Sequence, residues 1–231
     1  LARSTAGAAG RYRLSAAMVG TALYVTGGTG PEGAPCLEVL RMDGLRHCWE
    51  RGEAESEPSA RGLERAPTAR YGHASVCVLG RYLLCIGGKP AGILPPGSSD
   101  EAFRRRDTDV GGSADCLDAA TGRWLRLPCR LSHPRAYFGA AVVGAAVVAC
   151  GGASLYTGGP AGSGPPEGRL GSTEVLDASE LPRLFEQEEG SPAPASLVWR
   201  SGPDLLFPRY DFSLAGPVDG CLFAVGGSGA R

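Results

Sequence analysis

Apolar residues in this chain come in short bursts and not in helical stripes. Four bursts end on a glycine pair: "LYVTGG" (23–28), "LLCIGG" (83–88), "VVACGG" (147–152) and "LFAVGG" (222–227). Runs this short, rich in β-formers and closed by turn residues, predict buried strands. Ahead of each lies a stretch of small and apolar residues opening on an arginine: "RYRLSAAMVG", "RYGHASVCVLG", "RAYFGAAVVG" and "RYDFSLAGPVDG". Those arginines, Arg11, Arg70, Arg135 and Arg209, stand 16, 17, 16 and 17 residues before the first glycine of their pair. Two more fragments follow the first three pairs. One carries an aspartate ("EVLRMD", "ADCLDAATG", "STEVLDAS") and the other a tryptophan ("HCWER", "RWLRLP", "LVWRSGPDL"). Asp43 and Asp118 precede Trp49 and Trp124 by six residues each, whereas Asp177 and Trp199 are 22 apart, so an insertion opens the third turn.

The pattern is a repeated unit of four short strands with tight turns such as "LGR" (79–81) and "ATGR" (120–123). A small antiparallel meander has two apolar faces and cannot bury both alone. Packing units face against face around an axis covers both. The glycines then allow close approach of neighbouring backbones, and the tryptophans fill the wedge that widens toward the rim. The glycine pair thus reads as architecture and not as a phosphate cradle.

Arginine, small-residue strand, four apolar residues, Gly-Gly, aspartate and tryptophan, in that order, resemble the kelch motif. The best match is "ARYGHASVCVLGRYLLCIGG…CLDAATGRWLRLP" (69–128), and the resemblance runs from about Arg11 to Gly227. It implies an all-β, kelch-type β-propeller of four-stranded antiparallel blades, with units at 11–52, 69–128, 134–202 and 208–227. No Trp-Asp dipeptide and no Ser-x-Asp-x-Gly-x-Thr-Trp box points to a rival propeller family. Departures exist. Met42, Leu117 and Leu176 stand near the place of the family's third-strand aromatic residue, and the doublets are 60, 64 and 75 residues apart, longer than usual. About three and a half blades are visible, so the rest of a longer protein or a partner chain is expected to complete the ring.

Composition narrows the function classes. A net charge of −1 provides no global field toward nucleic acid or an anionic membrane. The longest apolar run, "FGAAVVGAAVVAC" (138–150), is too short for a membrane helix. The start, "LARSTAGAAGRYR", lacks the apolar core of a secretory signal and has no initiator Met, so the sequence reads as a processed chain or a piece of a longer one. There are eight cysteines and no CxxC; Cys77, Cys85, Cys116, Cys150 and Cys221 lie in apolar runs. This predicts reduced thiols in a cytosol-like compartment, with no metal site and no cofactor.

Length beyond the usual repeat is concentrated in loops at 29–35, 52–69, 89–112 and 153–171, which the resemblance puts on the face where partner peptides are held. The insertion at 178–196 would leave from the opposite face, with a short helix in "SELPRLFEQEE" capped by Ser179. The resemblance further implies that Arg70, Arg135 and Arg209 either grip carboxylates of a partner or hold the blade by bonding loop carbonyls. Tyr71, Tyr137 and Tyr210 would add aromatic contact, and the cationic cluster Arg104, Arg105 and Arg106 could receive an acidic segment. The expected partner is another protein, with an acidic peptide segment as the fitting chemistry. The function expected is a non-catalytic scaffold or adaptor. The alternative is a propeller enzyme of the sugar oxidase or epimerase type. For that, His47, His73 and His133 occupy dissimilar contexts, and His73 in "RYGHA" reads as structural.

Overall fold

The computed structural model describes residues 10–30, 39–43, 48–51, 66, 68–91, 99–155, 168–188 and 191–229. The chain is mostly β, built from several small antiparallel sheets. The first unit is the meander β1 (Ser15–Val19), β2 (Ala22–Thr26), β3 (Leu40–Asp43) and β4 (Cys48–Arg51). The second is β6 (Ala74–Val78), β7 (Tyr82–Ile86), β9 (Ala114–Asp118) and β10 (Trp124–Arg126), flanked by the two-residue strands β5 (Arg70–Tyr71) and β8 (Lys89–Pro90). The third is β12 (Gly139–Val143), β13 (Ala146–Cys150), β15 (Thr173–Asp177) and β16 (Trp199–Ser201), with β11 (Arg135–Ala136) and β14 (Ala153–Ser154). A hairpin follows, β18 (Ser213–Val218) with β19 (Cys221–Val225), beside the ribbon of β17 (Arg209–Tyr210) and β20 (Ser228–Gly229).

The four units stand in a row in which first strands are neighbours. β1 packs beside β6, β6 beside β12, and β12 beside β18. Strand alternation decides what each face does. In the second unit Leu84 and Ile86 point to the third unit and join Val76, Phe138, Val147 and Leu176 in one core. Leu83 and Cys85 point the other way and join Val19, Tyr24 and Trp124 in a second core. The near-continuous burial of β7 follows from its having a sheet against each face.

Register makes the units equivalent. Met42, Leu117 and Leu176 lie opposite Trp49, Trp124 and Trp199 on the fourth strand, and opposite Leu23, Leu83 and Val147 on the second. Trp124 and Trp199 are buried; the Trp49 side chain lies outside the described residues. Asp118 closes its turn by accepting from Ala120 N–H (3.0 Å) and Thr121 Oγ1 (2.8 Å). Arg81 adds two bonds of 2.6 Å to the same carboxylate and, more than any other contact, holds its pKa down to about 2.

Two loop readings need correction. Residues 89–112 are not one loop: after β8 the chain forms the helix α1 (Asp100–Gly112). Ser99 starts it by accepting from Ala102 N–H (3.2 Å), and Arg130 binds the Thr108 and Asp109 carbonyls near its other end. The 178–196 insertion does contain a helix, α2 (Leu181–Glu186), but Glu180 stands at its start without a side-chain cap bond. The Ser179 N–H instead donates to Asp177 (3.0 Å). Pro182 fixes the first turn. Leu181 and Phe185 are buried, with the Phe185 ring 5.3 Å from that of Tyr82, so α2 seals the seam between second and third units at the end away from the glycine pairs.

Cys77, Cys85, Cys116, Cys129, Cys150 and Cys221 are free thiols. Burial pushes the Cys116 thiol well up and those of Cys129 and Cys150 to about 11, so they behave as small apolar groups. Among the described residues, no helix is long and apolar enough to cross a membrane.

Candidate functional site

Each opening arginine turns back onto its own glycine pair. Arg11, Arg70, Arg135 and Arg209 donate to the carbonyls of Gly27 (3.3 Å), Gly87 (2.7 Å), Gly151 (3.0 Å) and Gly226 (3.1 Å). Arg70 and Arg135 are buried, and each meets a buried carboxylate on the third strand of its unit. Arg70 pairs with Asp115 at 2.5 Å, and Arg135 with Glu174 at 2.7 Å. Asp115 and Glu174 occupy the same register position, opposite Cys85 and Ala149. Arg135 also binds the Ser172 carbonyl (2.8 Å) and hydroxyl (3.1 Å), while Glu174 accepts from Ser132 N–H (2.7 Å) and His133 N–H (3.1 Å). These guanidinium groups are committed to the interior. In this geometry each arginine holds its own unit together, and the buried charge is tolerated because it is paired with a carboxylate and hydrogen-bonded to backbone; between these two groups only Arg70 Nε is buried without a partner.

The second glycine of each pair then ties one unit to the next. Gly28, Gly88 and Gly152 donate their N–H groups to the carbonyls of Arg70 (2.8 Å), Arg135 (2.8 Å) and Arg209 (2.7 Å). The first glycine is where the next unit's third residue after arginine sits. A Cβ on Gly27 would lie 2.6 Å from the His73 ring, one on Gly87 2.8 Å from Phe138, and one on Gly151 2.8 Å from Phe212. His73 is thus a core ring in the place of a phenylalanine. Its Nε2 meets Thr26 Oγ1 at 2.9 Å, and burial, helped by Arg70, lowers its pKa to about 3.

Two residues past each arginine lies a feature that residue type does not announce. Arg13, Gly72, Tyr137 and Asp211 all adopt left-handed backbone, with φ of 56, 61, 56 and 53°. They are linked in sequence: Gly72 N–H donates to Arg13 (3.0 Å), Tyr137 N–H to Gly72 (2.7 Å), and Asp211 N–H to Tyr137 (2.8 Å). Glycine meets this backbone demand at no steric cost; a side chain there costs about 1–2 kcal/mol. Three of the four units nonetheless carry one.

Those side chains gather on one face. The exposed Arg13 guanidinium lies 5.6 Å from the Tyr12 ring, 5.6 Å from Tyr71 and 5.5 Å from Tyr137, and the Tyr71 and Tyr137 rings are 6.5 Å apart. Among the described residues no carboxylate pairs with Arg13. Burial, and then the nearby Asp107, push the Tyr71 hydroxyl up, with Arg13 acting against them; burial does the same for Tyr137. Tyr210 lies farther along under Arg169, 5.7 Å from its guanidinium. The sites expected from sequence therefore separate. Tyr71 and Tyr137 come together around Arg13, Tyr210 pairs with Arg169, and Arg70 and Arg135 lie in the interior. Sequence alone does not mark Arg13, because the aligned arginine of its unit, Arg11, stands two residues earlier.

α1 borders this face through β8 and β11. It carries Arg104, Arg105 and Arg106, of which Arg105 is exposed and Arg106 holds the helix to the ribbon by donating to Ala91 (2.7 Å). The Arg104 side chain lies outside the described residues. So do residues 52–65, 31–35 and 156–167, which make up most of the three other loops expected to carry partner contacts, and His47. The two carboxylates of β9, Asp115 and Asp118, are paired with Arg70 and Arg126, and with Arg81, respectively.

The chain matches no protein-family model, and no curated protein is significantly similar to it.

Proposed function

We propose that this chain is a kelch-type propeller segment acting as a non-catalytic protein-binding scaffold, with the Arg13–Tyr12–Tyr71–Tyr137 face as its partner site. The repeated meanders, the side-by-side first strands and the Arg–Gly–Gly stitching support the propeller reading. The observation that carries the binding role is the Arg13 cluster. A cation and three rings from three different units converge, Arg13 and Tyr12 exposed and Tyr71 and Tyr137 half-buried, and two of those side chains sit on backbone that glycine would occupy more cheaply. Strained, solvent-facing side chains mark recognition more readily than packing. Tyrosine supplies large contact area at little entropic cost, and arginine supplies carboxylate pairing.

The fitting partner is a protein segment carrying Asp or Glu, whose carboxylate takes the open edge of Arg13 while its flanking residues lie against the tyrosines. Selection from a displayed random peptide library tests this. Acidic peptides should be enriched on the wild-type chain and lost on Arg13→Gly. Enrichment without acidic bias, or unchanged by that substitution, contradicts the reading.

A further inference from the structure

The helix α1 brings a second charge to the tyrosine face. It packs against β8 and is fixed there by consecutive contacts: Arg106 donates to the Ala91 carbonyl (2.7 Å), Thr108 Oγ1 to the Leu155 carbonyl (3.4 Å), and Val110 is buried. Asp107, between the first two, is half-buried. Tyr71 stands on β5, paired with Lys89 of β8. Burial raises the Tyr71 hydroxyl most, Asp107 raises it further, and Arg13 acts the other way, so charges of opposite sign bear on one phenol. The Tyr137 ring lies across Gly72, where a Cβ would meet it at 2.6 Å, which fixes its place beside Tyr71.

Neither charge is spent inside the fold. Arg13 lies over rings, and among the described residues no cation pairs with Asp107 and no donor hydrogen-bonds to it. Its neighbours differ. Asp109, two residues on, is taken by Arg130 at 2.9 Å, and Asp115 and Asp118 are taken by Arg70, Arg126 and Arg81. A half-buried carboxylate has lost hydration without gaining a counter-ion, a cost that a ligand's cation removes. Asp107 belongs to the second unit, flanked by the first and the third, so its exposure is not that of a chain end.

We infer that the partner segment is amphoteric: its Asp or Glu takes Arg13, and a Lys or Arg close by takes Asp107, both beside the same tyrosine, Tyr71. This rests on the Arg13 face being the partner site. A segment bearing carboxylates alone meets Asp107 as a like charge, so the residue that favours a cation also disfavours a polyacidic partner. Both charges act on one hydroxyl, which sets acid and base within about three residues of each other, roughly 10 Å of extended chain.

Peptide display on the wild type and two variants tests it. The wild-type chain should enrich peptides that combine an acidic residue with a basic one at a short, constant separation. Asp107→Asn should keep the acidic preference and lose the basic one, and Asp107→Lys should replace basic by acidic at that place. Fluorescence anisotropy with a peptide selected on the wild type should show binding to Asp107→Asn weakened about tenfold, the loss of one charge-assisted contact. Asp107 has no partner in the fold to lose, and circular dichroism checks that both variants are folded. Enrichment of acidic peptides without a basic residue overturns this inference and leaves the Arg13 reading standing. Absence of acidic bias on the wild type overturns both. A basic preference that survives Asp107→Lys overturns the inference as well, by placing the partner's cation elsewhere.

Discussion

Gly88 donates its backbone N–H to the carbonyl of Arg135, 2.8 Å away and one repeat further along the chain. The residue beside it, Gly87, accepts from Arg70 and lies against that same Arg135 carbonyl, 2.7 Å from where a Cβ would be. A doublet thus closes its own unit with one glycine and opens the next with the other.

Substitution should separate this close approach from mere backbone preference. Gly144 has φ +62° with open space around it, so Gly144→Ala should cost only the left-handed penalty, about 1–2 kcal/mol. Gly87→Ala adds a contact of 2.7 Å with a backbone oxygen that cannot swing away, and should cost clearly more. Urea melts of the two variants provide the comparison; equal losses would contradict the stitching role.

Arg135 should behave as a structural cation. Arg135→Ala leaves the Glu174 carboxylate buried without its charge partner, and breaking such a pair costs about 3–5 kcal/mol. Replacing both, Arg135→Met with Glu174→Met, should recover part of that loss, because the stranded charge goes too. The recovery stays partial since the Gly151 and Ser172 carbonyls lose their donor. A single variant as stable as the wild type would show that the pair does not hold the unit.

His73 makes stability depend on pH in a stated direction. Its folded pKa of about 3 lies below the ordinary 6.5. Between those values the unfolded chain binds a proton that the folded chain refuses. Stability is full above pH 6.5 and falls as pH drops toward 3, by at most about 1.4 kcal/mol per pH unit. Asp118, lowered to about 2 from 3.8, contributes in the same sense only in that lower window. His73→Phe, which copies Phe138 and Phe212, should flatten the upper window. An unchanged slope in chemical-denaturation midpoints between pH 4 and 6.5 would assign the dependence elsewhere.

How far the chain could be read before folding depends on whether a property is local. The doublets and the strand before each were legible because a short apolar burst and its turn residues are neighbours in sequence. The tryptophan register was legible through the six-residue spacing in two units. The fate of Arg70 was not, since Asp115 lies 45 residues away and meets it only through the pairing of β7 with β9. Arg13 was hidden for another reason: only Gly72, among the four equivalent positions, has the residue type that signals left-handed backbone. α1 did leave a signal, Ser99 followed by Asp100 and Glu101, inside a stretch whose glycines and prolines read as a loop.

The account rests most on Arg13 being present for recognition and not for folding. Arg13→Gly removes the cation and the left-handed strain together, and the lost ring contacts and the relieved strain offset each other to within about 1 kcal/mol. Titration calorimetry with an acidic peptide selected on the wild type, alongside a thermal melt of the same samples, measures both consequences. The account predicts binding weakened at least about tenfold, the loss of one charge-assisted contact, with the melting transition nearly unmoved. Undiminished affinity, or a loss of affinity that merely tracks unfolding, would contradict it.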